Sequence, residues 1–131
     1  MAVRGLNHVG LAVDDLDAAV ETYERLFGAE VEGRAEGGGL RGAMMRVGGD
    51  RIELLHSDDE ETPIGRFLAR RGPGMHHIAY SVDDIEGDLR ALADQGVELI
   101  DSAPRAGLFG HAIAFAQPES VRGVLTELVA V

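Results

Sequence analysis

The sequence predicts an α+β fold made of two repeated β-α-β-β-β modules, and three observations predict it. Gly5–Leu16 and Gly74–Ile85 are copies of one another. Gly5/Gly74, His8/His77, Val13/Val82, Asp14/Asp83 and Asp15/Asp84 match outright, and most other positions are apolar or small in both. In each copy an alternating run is followed by an Asp pair and then by apolar residues at helical spacing, as in a strand that feeds a helix. Each half also closes on an apolar strand with one carboxylate in its middle: Arg51-Ile52-Glu53-Leu54-Leu55 in the first, Leu125-Thr126-Glu127-Leu128-Val129 in the second.

The 131 residues fit one domain, 1–131, with a first module over 5–56, a linker with a short helix over 57–73 and a second module over 74–131. A chain of this size buries roughly two-thirds of the surface its unfolded form exposes, enough for a core. Cysteine is absent, which excludes disulfides and thiol catalysis. The formal charge is −11, and all 12 basic residues are arginine. Nucleic-acid binding is disfavoured, because a phosphate backbone needs clustered positive charge. The acidity reads as a solubility feature. The N-terminus has no apolar signal region and no apolar run approaches ~18 residues, so a cytoplasmic protein with no membrane contact is expected.

The elements follow in order. Residues 6–13 alternate as a strand, with His8, Gly10 and Ala12 on one face and Val9, Leu11 and Val13 on the other. The small neighbours of His8 suit a cavity wall. Asp14 or Asp15 caps the helix over 16–26, whose stripe is Leu16, Ala19, Val20, Tyr23 and Phe27, and Gly28 stops it. A strand begins at 29–33. The segment 34–42 reads as loose, with Glu36-Gly37-Gly38-Gly39 as a turn or mobile lid. Strands over 43–47 and 51–55 flank the turn Gly48-Gly49-Asp50. Ser57–Glu61 is an acidic, solvated run. Thr62-Pro63 opens a short helix with Ile64, Phe67 and Leu68 on its apolar face, and Gly72-Pro73-Gly74 ends it. The second module repeats the scheme: a strand over 75–82 with His77, Ala79 and Ser81 on one face, a helix over 85–94 stopped by Gly96, a strand over 97–100, a loop over 105–110, and strands over 111–116 and 124–129.

Each half therefore offers one histidine from its first strand and one glutamate from its last: His8 and Glu53, His77 and Glu127. A lone strand histidine is most often structural, and a lone interior glutamate most often pairs with an arginine, here Arg46 or Arg51. An unpartnered buried carboxylate is costly, and two at equivalent repeat positions need a common explanation. A divalent metal provides one. Mixed imidazole and carboxylate donors suit Co, Ni, Zn, Mn or Fe rather than calcium, and four protein ligands leave a six-coordinate ion with two open positions. His76 points to the face opposite His77 and is excluded. His56 and His111 read as surface histidines.

Paired β-α-β-β-β units with this His…Glu…His…Glu order resemble the vicinal oxygen chelate (glyoxalase-like) superfamily, which includes glyoxalases, extradiol dioxygenases and fosfomycin-resistance proteins. The chain is similar over nearly its whole length to the methylmalonyl-CoA epimerases. The similar stretches are Leu6–Val13, Ile52-Glu53-Leu54-Leu55, Thr62–Leu68, Gly74-Met75-His76-His77-Ile78-Ala79 and Gly123–Leu128. The resemblance implies that the modules form a half-open barrel and that the chain is a homodimer. It also implies a metal-dependent epimerase that interconverts the 2R and 2S forms of methylmalonyl-CoA by 1,1-proton transfer through a metal-bound enolate. His8, Glu53, His77 and Glu127 would be the metal ligands, Glu127 also an acid/base, and Glu36 the second acid/base, with a one-residue shift relative to the family's loop. The family's acidic position in the third strand falls near Gly42. Its C-terminal basic residues are replaced, since the loop is Gly107-Leu108-Phe109-Gly110-His111 and the turn Gln117-Pro118-Glu119-Ser120. Arg105, Arg122 or Arg70-Arg71 stand as substitutes toward an acyl-CoA substrate. The alternatives are a glyoxalase-type isomerase or lyase on a glutathione or other thiol adduct, and a non-catalytic small-ligand-binding protein of the same fold.

Overall fold

The structure, a computed structural model, describes residues Met1–Val131. In chain order the elements are β1 (Val3–Ala12), α1 (Leu16–Phe27), β2 (Glu30–Gly37), β3 (Leu40–Val47), β4 (Asp50–His56), α2 (Pro63–Arg71), β5 (Gly74–Val82), α3 (Ile85–Asp94), β6 (Arg105–Ala106), β7 (Ala112–Ala116) and β8 (Thr126–Ala130), with a 3-10 turn at Pro118–Val121 before β8. This is β-α-β-β-β twice, with α2 between. The chain divides into two compact units, His8–His76 and Met1–Asn7 with His77–Val131, so β1 serves one with each end.

In the unit His8–His76 the strands run β2-β3-β4-β1, with β1 parallel to β4 and the other pairs antiparallel. A crossover helix makes the parallel pair possible. Asp15 caps α1 by accepting the Ala18 N–H, and Gly28 ends it in the left-handed region at φ 65°. Leu16 and Val20 of α1 are buried with Val13, Ala29, Ala43, Met45 and Leu54, all on one face of the sheet. The segment 34–42 is not a loose lid. β2 continues to Gly37, and Gly38-Gly39, at φ 59° and 84°, make a two-residue hairpin turn into β3. Positive φ at both turn positions gives the twist that matches the flanking strands, and glycine reaches it without strain. Glycine had suggested looseness; here it serves a tight turn.

Helix α2 is fixed through its N-terminus. The Thr62 hydroxyl accepts the Gly65 N–H (3.0 Å), donates to the Asp59 carbonyl (2.7 Å) and lies 2.8 Å from Ser57 Oγ. Thr62 and Ser57 are both buried, so this short polar chain is satisfied locally.

In the unit Met1–Asn7 with His77–Val131 the strand order is β1-β5-β8-β7-β6, with β5 parallel to β8. Helix α3, capped by Asp84, packs Ile85 and Leu89 on Val82, Ala114 and Leu128. An apolar cavity of about 140 Å³ lies in this layer, bounded by Leu89, Leu92, Val97, Ala114 and Leu128 and opening past Met1 and Val3. The expected strand over 97–100 does not form a ladder. Leu99 makes one isolated bridge to Ala116, and the N–H groups of Ile100 and Asp101 both reach the Phe115 carbonyl, at 2.9 and 3.2 Å. The expected loop at 105–110 begins with the short strand β6.

Candidate metal centre

Each unit holds one of the histidine–glutamate pairs. In the unit His8–His76 the β1–β4 register sets Gly10 against Glu53, so His8, Gly10 and Ala12 share the face that carries Glu53. His8 Nε2 lies 3.4 Å from Glu53 Oε1, with side chains 4% and 10% exposed. The two arginines that could have neutralised Glu53 are engaged elsewhere. Arg46 donates to Glu30 at 2.8 Å and Arg51 to Glu32 at 2.6 Å.

The other unit repeats the arrangement. The β5–β8 register sets Ala79 against Glu127, and the β7–β8 register sets Phe115 on the other side of Glu127. His77 Nε2 lies 3.2 Å from Glu127 Oε1, and both side chains are buried. The His77 ring meets the Phe115 ring at 84°, with centroids 5.4 Å apart. The Arg105 guanidinium sits 5.7 Å from the Phe115 centroid. Asp101 ties this corner together: Oδ1 accepts Arg105 Nε at 3.0 Å and Oδ2 accepts the Phe115 N–H at 2.9 Å.

The donor set fits a transition-metal cation. Imidazole nitrogen and carboxylate oxygen bind such an ion at about 2.0–2.2 Å, so two neighbouring ligands of one ion stand about 3 Å apart. Both pairs come close to that spacing, at 3.4 and 3.2 Å. The ion's charge would offset the burial of each carboxylate.

Glu36 is placed differently from expectation. A β-bulge between Val31 and Gly33 shifts the β2–β3 register by one residue, and Glu36 pairs with Arg41. Arg41, Ala43 and Met45 form the face against α1, whereas Met44 is the β3 residue opposite Glu53. Glu36 therefore sits on the sheet face away from Glu53. It is exposed, 4.0 Å from Arg41, and lines an open surface cleft with Leu16 and Arg34. The second acid/base role does not fit that position. Gly42 is on the Glu53 face but has no side chain to offer.

His76 points away from the His77 face, and its ring meets Phe67 edge-on at 5.1 Å, with Arg71 over the same Phe67 ring at 5.5 Å. His56 is not a surface residue. Its Nδ1 lies 2.8 Å from the Val13 carbonyl and its Nε2 2.9 Å from Asp58 Oδ1. Burial opposes its charged form, but the Val13 carbonyl and the Asp58 carboxylate outweigh that and raise its pKa above the ordinary histidine value. His111 is exposed at the turn before β7. Sequence reasoning missed Phe115 and Asp101. The period-two pattern of 112–116 held a signal for Phe115, since it alternates with the buried Ala114 and Ala116.

Comparison with known proteins agrees with this geometry. Residues 7–115 match the family described as Glyoxalase/Bleomycin resistance protein/Dioxygenase superfamily. The chain is 35% identical over 127 residues to the mitochondrial methylmalonyl-CoA epimerase of Dictyostelium discoideum, covering 94% of this chain and 76% of that protein. It is 36% identical over 127 residues to the ethylmalonyl-CoA/methylmalonyl-CoA epimerase of Cereibacter sphaeroides, covering 94% and 95%. Among solved structures, methylmalonyl-CoA epimerase from Mycobacterium tuberculosis superposes with a TM-score of 0.92 at 39% identity, covering 98% of this chain and 88% of that one. A methylmalonyl-CoA epimerase in complex with methylmalonyl-CoA and NH4+ gives 0.93 at 36% identity, covering 98% and 95%. A duplicated module with a buried His–Glu pair in each copy, set beside these likenesses, shows that the chain belongs to the glyoxalase/bleomycin resistance protein/dioxygenase superfamily and, within it, to the family of the methylmalonyl-CoA epimerases.

Proposed function

We propose that the protein is a metal-dependent epimerase that interconverts the 2R and 2S forms of methylmalonyl-CoA by 1,1-proton transfer. The observation that carries this reading is the recurrence of a buried His–Glu pair at the same place in both repeats. His8 and Glu53 in one unit, and His77 and Glu127 in the other, are the ligands proposed for a divalent metal, Co, Ni, Mn or Zn. When bound, such an ion acts as a Lewis acid that makes the carbon between thioester and carboxylate more acidic and favours the enolate.

The chain's own residues supply the proton traffic. Inversion at one carbon needs an acid/base on each face of it. Glu127 is one. With Glu36 turned to the far side of its sheet, the carboxylate at the equivalent place in the first repeat, Glu53, is the other. The same proposal includes a homodimer in the cytoplasm. It is supported by apolar side chains left bare at the end of α1, with Leu26 56% and Phe27 63% exposed; sedimentation would show the dimer mass.

The deciding experiment follows deuterium entry at C2 of methylmalonyl-CoA in D2O, with Co(II) and then with a chelator. Exchange that requires metal is expected. His77→Ala should abolish both metal uptake and exchange, Glu127→Gln should slow exchange by roughly 100-fold or more, and Glu36→Gln should leave it unchanged. Exchange that survives the chelator would overturn the metal's role. Stoichiometric metal without exchange would move the activity to glyoxalase-type chemistry on a thiol adduct.

A further inference from the structure

We infer that Phe115 and Arg105 form a clamp that sets the ring orientation of His77 and so tunes the metal site, an inference that rests on the metal reading above. Three features of one unit carry it. The His77 ring is held edge-to-face by Phe115, at 5.4 Å and 84°. Phe115 is itself covered on another side by the Arg105 guanidinium at 5.7 Å. Asp101 then fixes both ends, accepting the Arg105 Nε and the Phe115 backbone N–H with its two oxygens. A single carboxylate thus couples the strand position of Phe115 to the cation over its ring.

The register places these groups on one sheet face. Phe115 is opposite Glu127 and Arg105 is opposite Ile113, two residues along the same strand. The row runs Arg105, Phe115, Glu127, His77, from half-exposed guanidinium to buried imidazole. An imidazole can swing about its side-chain torsions, and its nitrogen must point within a narrow cone to bind an ion. In many metal sites a carboxylate or carbonyl fixes that torsion. Here an aromatic wall also lies edge-to-face against the imidazole, and the guanidinium over that wall favours its position through cation–π attraction. In the first repeat the residue opposite Glu53 is Met44.

Phe115 and Arg105 are positioning residues, and metal affinity reads them without reference to turnover. Co(II) affinity would be measured by competition with a chromophoric chelator, together with the visible spectrum of the bound Co(II). Phe115→Leu should weaken binding about 10-fold or more and change the spectrum, Arg105→Met should weaken it severalfold, and Phe115→Tyr should restore parental values. Phe67→Leu, which removes the comparable ring from His76, should leave Co(II) affinity and spectrum as in the parent. Parental affinity and spectrum in both a folded Phe115→Leu and Arg105→Met overturn the clamp. If Phe115→Leu fails to fold, Arg105→Met decides alone by the same criterion. A parent protein that takes up no Co(II) at all overturns the metal reading itself, and the clamp with it.

Discussion

His56 shows how one side chain can carry two jobs that its position in the sequence does not reveal. It stands at the end of β4 and reaches back to the Val13 carbonyl, closing the junction between β1 and α1, while Asp58 meets its other nitrogen. Because its pKa is raised in the folded state, its stabilising effect is fully present below the unfolded value of about 6.5 and is lost as pH rises through the folded pKa. The difference in melting temperature between the parent and His56→Gln should therefore be largest near pH 6 and shrink toward pH 9. A difference that grows with pH would show that the histidine is held neutral. Glu36 makes the opposite point. Counting alternately from Val31 puts Glu36 on the Glu53 face, and only the bulge at Glu32 reverses it. A bulge leaves no mark that composition or periodicity can detect. The placing of His8 beside Glu53 and of His77 beside Glu127 was legible because the repeat states each residue type twice, on strands whose alternation needs no register.

At the scale of elements, helices and caps were legible almost to the residue. Asp15, Gly28, Thr62, Pro63 and Asp84 act by local hydrogen bonding or fixed backbone geometry, and local signals are what a sequence displays. The short strand β6 and the missing ladder at 97–100 were not legible, since both depend on where β7 lies. Helix α2 is closely packed against the loop that precedes it. A Cβ on Gly65 would collide with the Asp59 carbonyl oxygen, and that oxygen is also held by the Thr62 hydroxyl. Gly65→Ala should lower stability by about 1–3 kcal/mol, the range for overpacking a filled site. Thermal melts would check it. An unchanged melting temperature would mean that the 57–62 loop yields freely, against its buried hydrogen bonds.

At the scale of the molecule, duplication accounts for most of the architecture and for one asymmetry. Both units use a parallel pair with a crossover helix, and both bury a His–Glu pair beside small residues. The residue paired with the glutamate differs, Met44 in one and Phe115, with Arg105 and Asp101 around it, in the other. No helix is long and apolar enough to cross a membrane.

The void beneath α3 has a consequence in compressibility. At about 140 Å³ it is apolar throughout its lining and opens at its Met1 and Val3 end. Loosely packed apolar volume lost on unfolding lowers the volume of the unfolded form, so hydrostatic pressure favours it. Under rising pressure the amides of α3 and β7 should lose hydrogen-exchange protection before those of α1 and β3. Leu89→Ala should widen that gap, and Ala114→Val should narrow it, by giving the helix something to rest on.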